Sequence, residues 1–171
     1  MTREDLARFR GLDIDFEAIG LMEDSDPARY FCDPVDLEPV GRIGCDGVHF
    51  ILLPGDERVF CVDPAMGEEG KYVLPVAGDF REFLSFVLFC RDANPISQIW
   101  WMDEARFRQL LREDAENTWP GSDEYFARTE AALAAITETF GLAPADPFER
   151  VKDMQAGFDP SILHFSDEYY L

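Results

Sequence analysis

Residues 43–63 read "IGCDGVHFILLPGDERVFCVD". Two cysteines, a histidine and three aspartates fall within these twenty-one positions, a density that would suit a metal or catalytic site. The same residues also spell two β-hairpins. Asp46-Gly47 is a strong two-residue turn, "VHFILL" and "RVFCVD" are apolar runs, and "PGDE" separates them. Register decides between the two readings. A tight turn at Asp46-Gly47 pairs Cys45 with Val48, and hence Ile43 with Phe50. A "PGDE" loop pairs Leu53 with Arg58, hence Phe50 with Cys61 and His49 with Val62. Because side chains alternate, Val48, Phe50, Leu52, Val59 and Cys61 share a face with Ile43. His49 lies on the other, with Arg42, Ile51, Leu53, Arg58, Phe60 and Val62. His49 and Cys61 then point apart and cannot share a zinc ion. A three-residue loop or a bulge would bring them together, since a one-residue slip flips every side chain. Even so, only one imidazole, one thiol and Asp63 would meet. The stretch reads as hairpins, with no metal, cofactor or catalytic residue expected.

This alternation leaves apolar residues on both faces of the sheet. The predicted helix at 80–91 covers one. The N-terminal segment or the C-terminal tail is the expected cover for the other; an open apolar face awaiting a partner is the alternative.

Working outward, "YVLPVA" at 72–77 supplies a fourth strand, and Pro75 places it at an edge. "TREDLARFRG" predicts a short helix opened by Thr2 and stopped near Gly11. "DPARYFCDPVDLEP" has three prolines and predicts an extended wrap over the body. Asp79 followed by Glu82 is a capping box for "FREFLSFVLFCR", a helix apolar almost all round and therefore buried. Asn94-Pro95 predicts a helix through "ISQIWWM" with the asparagine as cap. Asp103 caps "EARFRQLLRED", with Phe107, Leu110 and Leu111 inside. Ser122 opens a long helix with Phe126, Leu133, Ile136 and Phe140 on its apolar face and Gly141 at its end. Asp146-Pro147 opens a last helix carrying Phe148, Val151 and Met154, closed by Gly157. Strands together and then helices give the α+β class: a largely antiparallel meander of about four strands, helices packed on it, and a C-terminal helical extension. One domain spans 1–171, made of an acidic segment (1–37), a meander with its buried helix (38–91), and a helical part with the tail (92–171).

The 171 residues carry 35 acids against 15 bases, a net charge of −20. The excess is distributed: residues 1–40 hold eleven acids and four bases, 41–102 nine and five, 103–171 fifteen and six. Such a field repels nucleic acid and anionic membrane and attracts basic partners. "MTREDLARFRGLD" has no apolar core of a secretory leader, and "FLSFVLFC" at 83–90 is too short to cross a bilayer. Cys32, Cys45, Cys61 and Cys90 have no CxxC spacing. Reduced thiols in a cytoplasmic protein are expected.

Catalytic signatures are missing: there is no GxSxG, HExxH, P-loop or GxGxxG, and His49 and His164 stand 115 residues apart. Chance pairs such as Glu68-Glu69 and Glu113-Asp114 carry no weight among so many acids. The tandem Trp100-Trp101 can pack one ring inside and leave the other at the rim as an interface anchor. In the tail "ILHFSDEYYL", Ile162 and Phe165 are expected to dock, with Asp167 and Glu168 in water.

The succession "EPVGRIGCDGVHFILLPGDERVFCVDP", "YVLPVAGDFREFLSFVLFC", "WWMDEARFRQLL" resembles the SUKH superfamily. The matching residues are Gly44, Asp46, Gly47 and Phe50 in the hairpin, Val59, Phe60, Val62 and Pro64 in the next strand, and Phe80, Phe83 and Leu84 in the helix. The likeness covers roughly residues 38–111. It implies an α+β domain that binds proteins and has no catalytic set. Many bacterial members neutralise toxins, often nucleases; fungal relatives are regulatory. The expected function is therefore a non-catalytic domain of the immunity type holding a basic, nuclease-type toxin. Exposed acids beside aromatics are the candidate binding residues: Asp56 and Glu57 at the hairpin tip, Glu68 and Glu69 in the next loop, and Trp101. The alternatives are a carboxylate- or metal-dependent enzyme, and a small-ligand binder with a pocket between helix 80–91, the tandem tryptophans and the sheet.

Overall fold

The computed structural model describes residues 1–24 and 30–166. Part of the proline-rich wrap, and Asp167 and Glu168 of the tail, lie outside the described residues. Four antiparallel strands form one sheet in the order β1 (Glu38–Arg42), β2 (His49–Leu52), β3 (Val59–Val62), β4 (Val73–Ala77). The fold is α+β, a meander with helices, and Pro75 lies on the edge strand β4.

The β2–β3 register is the expected one, with His49 opposite Val62 and Phe50 opposite Cys61. The β1–β2 register is not. Asp46 and Gly47 do form the turn, both at positive φ (53° and 74°), and the Val48 N–H donates to the Cys45 carbonyl at 3.2 Å. The returning bond, however, runs from the Ile43 N–H to the Val48 carbonyl, so Gly44 (φ 95°) and Cys45 loop out. Gly41, not Ile43, faces Phe50, and a further irregularity falls between Pro39 and Gly41. The slip of two residues keeps Gly41 and Arg42 on their expected faces, while the bulge flips the residues before it, so that Val40 enters the main core and Pro39 lies opposite Ile51.

Phe50, Leu52, Val59 and Cys61 enter the main core. Over them lies α2 (Phe80–Cys90), capped by Asp79, whose carboxylate accepts the Glu82 N–H at 2.8 Å. Its Phe83 meets Phe50 at 4.9 Å between ring centroids. Around α2 pack α1 (Thr2–Arg10), α3 (Asn94–Gln98), α4 (Glu104–Glu116), α5 (Ser122–Phe140) and α6 (Phe148–Ala156). Leu6, Phe9, Phe107, Leu133, Ile136 and Val151 join this core, so the C-terminal helices complete it. Asp103 caps α4 as expected, accepting the Arg106 N–H at 2.7 Å. Two expectations fail. α3 ends at Gln98, leaving Trp100 and Trp101 in a turn, and its N-cap is Ala93, not Asn94. Phe126 of α5 is only half-buried.

On the second face, Ile51, Leu53, Phe60, Val62 and Val73 are buried by Tyr30, Cys32 and Leu37 from one end of the chain and Phe158, Leu163 and Phe165 from the other. The two covering segments are bonded to each other: the Val35 N–H donates to the His164 carbonyl at 2.8 Å, and Pro34 bridges Phe165. The expected wrap and tail thus act as one lid and this face is closed, but Leu163 docks beside Phe165 where Ile162 was expected, because Ile162 ends a 3₁₀ turn with its side chain exposed. Because β2 and β3 are buried on both faces, Phe60→Ala should cost about as much as Phe50→Ala, roughly 3–5 kcal/mol each in urea unfolding. A much smaller loss at Phe60 would mean that the second face is open in solution.

Candidate functional site

None of the binding residues singled out in the sequence lines either of the two cavities described below. Asp56 chelates Arg58, with Oδ2 to Nη2 at 2.7 Å, and also accepts the Arg58 N–H at 2.9 Å. Burial opposes its charge, yet the Arg58 hydrogen bonds hold its carboxyl below the usual range. The Glu57 side chain accepts the Thr2 N–H at 2.7 Å, and that backbone bond lowers its pKa. Thr2 also donates to the Glu57 carbonyl at 2.7 Å. Glu57 therefore fastens α1 to the hairpin tip, and Asp56 holds Arg58 within it. Glu68 and Glu69 are exposed, and Glu68 lies 3.5 Å from Lys71. Trp101 is 43% exposed.

His49 is buried, and its partner is Asp33, which the sequence reading passed over. Its Nε2 lies 2.7 Å from Asp33 Oδ1 and its Nδ1 lies 2.6 Å from the Gly47 carbonyl; Tyr30 stacks on the ring at 5.4 Å. The other Asp33 oxygen accepts the Tyr30 N–H at 2.9 Å. Burial alone would depress the histidine pKa, but the Asp33 hydrogen bond, the Gly47 carbonyl and the Asp33 charge outweigh it and the net shift is upward. With an acceptor on each ring nitrogen, the imidazolium satisfies both. A cleft of about 410 Å³ opens beside it, but neither ring nitrogen is free to serve a ligand there. Cys61 enters the opposite face, as the register requires. Among the described residues no group of three or more His, Cys, Asp or Glu side chains is placed to hold a metal ion. Burial pushes the Cys32 thiol up to about 12 and raises the Cys61 and Cys90 thiols well above the usual range, so none of the three is a poised thiolate.

A second cavity, of about 380 Å³, has a different character. It lies away from the tandem tryptophans, between the 3₁₀ turn Glu17–Ile19, the α2–α3 junction, the end of α4 and the start of α5. Trp119, Tyr125 and Phe126 line it and touch one another, with ring centroids 5.5 to 6.1 Å apart. Asp92 and Asp114 supply its carboxylates. Asp92 Oδ1 accepts the Asn94 N–H at 2.7 Å, and Gly20 leaves room for it, since a Cβ there would sit 2.3 Å from that oxygen. Among the described residues neither carboxylate has an ion-pair partner, and Arg91 on the same wall is taken by Glu130. Burial, with a smaller contribution from Asp114, raises the Asp92 pKa to about 6; burial and Glu113 raise that of Asp114. Sequence gives no sign of this site, because Gly20, Asp92, Asp114 and Trp119 come from four separate segments.

No protein-family model, curated protein or solved structure matches the chain. Among the described residues, no helix is long and apolar enough to cross a membrane.

Two titrations follow from these geometries. An acid with a raised native pKa binds its proton more tightly when folded, so Asp92 withdraws stability as pH rises from about 4 to about 6. Asp92→Asn keeps the acceptor for Asn94 and should gain roughly 1–3 kcal/mol at pH 7.5, with no gain at pH 4, in urea unfolding at the two pH values. His49 has the opposite charge and a raised pKa, so its contribution is complete below about 6.5 and is lost as pH rises through its native value. Asp33→Asn should cost about 3 kcal/mol at pH 6 and less at pH 9. A cost independent of pH would show that the pair is not ionic.

Proposed function

We propose that this chain is a non-catalytic protein-binding domain of the immunity type, which holds a basic partner such as a nuclease toxin. The observation that carries this reading is how its charges are spent. Arg3, Arg8, Arg58, Arg81, Arg108, Arg128 and Arg150 are each held by a carboxylate of the same chain. Most of the excess acids that make the net charge −20 are exposed to water. A surface of that kind draws a basic protein in by long-range attraction and turns nucleic acid away. Nucleases are basic where they grip phosphate, so the charges are complementary. The SUKH-like order of hairpin, edge strand and aromatic helix supports the same reading.

A second reading, binding of a small ligand, draws on the cavity walled by Trp119, whose volume is within the range of ligand sites. An enzyme using Asp92 and Asp114 is a weaker variant of it.

The test is capture of partners from extract of the native cells on the immobilised chain, with elution in a salt gradient. A stoichiometric basic protein should elute at moderate salt, and its nuclease activity should be inhibited when the purified chain is added back. Its association rate should fall on the order of tenfold between 50 and 300 mM salt. Charge reversal at the exposed Glu68 and Glu69 should slow it further. Capture of no basic protein at any salt concentration would remove the reading.

A further inference from the structure

The cavity between α4 and α5 combines two features that are rarely left together without a counter-charge. Its wall is aromatic: Trp119 packs on Tyr125 at 5.5 Å and 59°, and on Phe126 at 5.6 Å and 60°. Trp119 is nevertheless 43% exposed, so its ring is not sealed into the core. The carboxylates at the floor and rim, Asp92 and Asp114, lack a cation. Arg91 could have supplied one, but its left-handed backbone (φ 66°) closes α2 and its guanidinium goes to Glu130. Arg128, tied to Asp15 at 2.9 Å, already lies 5.8 Å over the Tyr125 ring, so this aromatic cluster receives a cation on one of its rings.

The chemistry of the occupant follows. An anion is repelled by Asp92, Asp114 and Glu17. A neutral apolar group fills the space but leaves a half-buried carboxylate without a counter-charge. A flat or compact organic cation meets both demands, since its charge lies over ring faces and its N–H groups reach Asp92. A volume of about 380 Å³ holds one such group on a short alkyl stem. We propose that this cavity binds an alkylguanidinium or alkylammonium group, presented as an arginine or lysine side chain of the basic partner. The source of the group rests on the function proposed above; the cavity's preference for a cation does not. Asp92 is in this view the half-buried anchor, Trp119 the ring that covers the stem, and Gly20 the position that keeps the carboxylate in place.

The experiment uses the full chain at pH 7.5. n-Butylguanidinium and n-butylammonium are titrated in while backbone amide and indole resonances are followed, with n-butylurea as the neutral control. The cations should shift Gly20, Asp92, Ala115 and the Trp119 indole together and saturably. Asp92→Asn and Trp119→Ala should each weaken them at least tenfold, and n-butylurea should leave these signals in place. Folding does not confuse the outcome, because Asp92→Asn removes an unfavourable charge and Trp119 lies outside both hydrophobic core clusters. Equal shifts with n-butylurea, an unchanged response in Asp92→Asn, or shifts scattered over the acidic surface would overturn the site. Partner capture is then repeated with both variants. A basic protein held as tightly by them as by the wild type would overturn the cavity's role while leaving the protein-binding function intact. Cation binding without capture of any basic protein would overturn the partner side chain as the source, and with it the function proposed above, leaving a free amine as the ligand.

Discussion

Strands β2 and β3 have no solvent side, and the rest of the molecule is arranged around that condition. All four residues of each strand are buried, so a sheet with one covered face would leave Ile51, Phe60 and Val62 in water. One layer is α2 with its supporting helices, α1 from before the sheet and α3 to α6 from after it. The other needs both ends of the chain at once. The wrap through Cys32 and the tail through Phe165 each lie on the sheet and bond to each other, closing a loop in contact order that neither end could close alone. The same double burial explains His49. A strand residue inside such a sandwich must find its hydrogen-bond partners within the protein, and it does so in Gly47 two residues away and Asp33 in the wrap. The polar pair is thus a rivet through the second layer.

Charge is the second constraint. With 35 acids to 15 bases, every base has several carboxylates competing for it. Those bases go to structural joints: Arg81 to the buried Asp5, Arg58 to the hairpin tip, Arg150 to the capping residue Glu82. What remains uncompensated is therefore not random. Asp92 keeps a native pKa near 6 at a cost in stability that an asparagine would avoid. Proteins tolerate such costs where a site needs the charge, which is the physical reason for looking at this carboxylate and not at the many exposed ones.

Much of the fold was legible because the sheet alternates with period two and the helices carry caps. The pairing of His49 with Val62, the edge position of Pro75, and the caps Asp79 and Asp103 are local consequences of residue type. The β1 register was out of reach because looping out Gly44 and Cys45 leaves no compositional mark: the turn residues are the same, and Gly41 and Arg42 keep their faces. The helix through the tandem tryptophans stops early because Asp103 starts a new one, and the two runs cannot share a continuous axis across Trp100 and Trp101. Phe126 fits the helical period of α5, yet it stands on a cavity wall, since periodicity places a residue on a face without saying whether that face meets core or opening. Asp33 and Asp92 were hidden for a simpler reason. Their partners are distant in sequence, and one aspartate among so many carries no signal until the fold brings His49 or Trp119 to it.

The cavity owes its position to how the C-terminal helices meet the first third of the chain. The 3₁₀ turn Glu17–Ile19 is held from two sides: the Thr129 hydroxyl of α5 donates to the Ala18 carbonyl at 2.7 Å, and the Ala93 N–H donates to the Ile19 carbonyl at 2.9 Å. These bonds set the gap between α5 and the α2–α3 junction. Gly20, in the left-handed region at φ 68°, turns the chain away just where Asp92 needs room. The aromatic wall then comes from the opposite side, on the α4–α5 connection and the first turn of α5. Neither the sheet nor its two covers needs this opening for stability, and a hydrophobic side chain in place of Asp92 could fill it. A seam of this kind, kept open by a glycine and lined by unpaired carboxylates and stacked rings, is best explained by what it receives, and for that charge and shape the occupant is a cation.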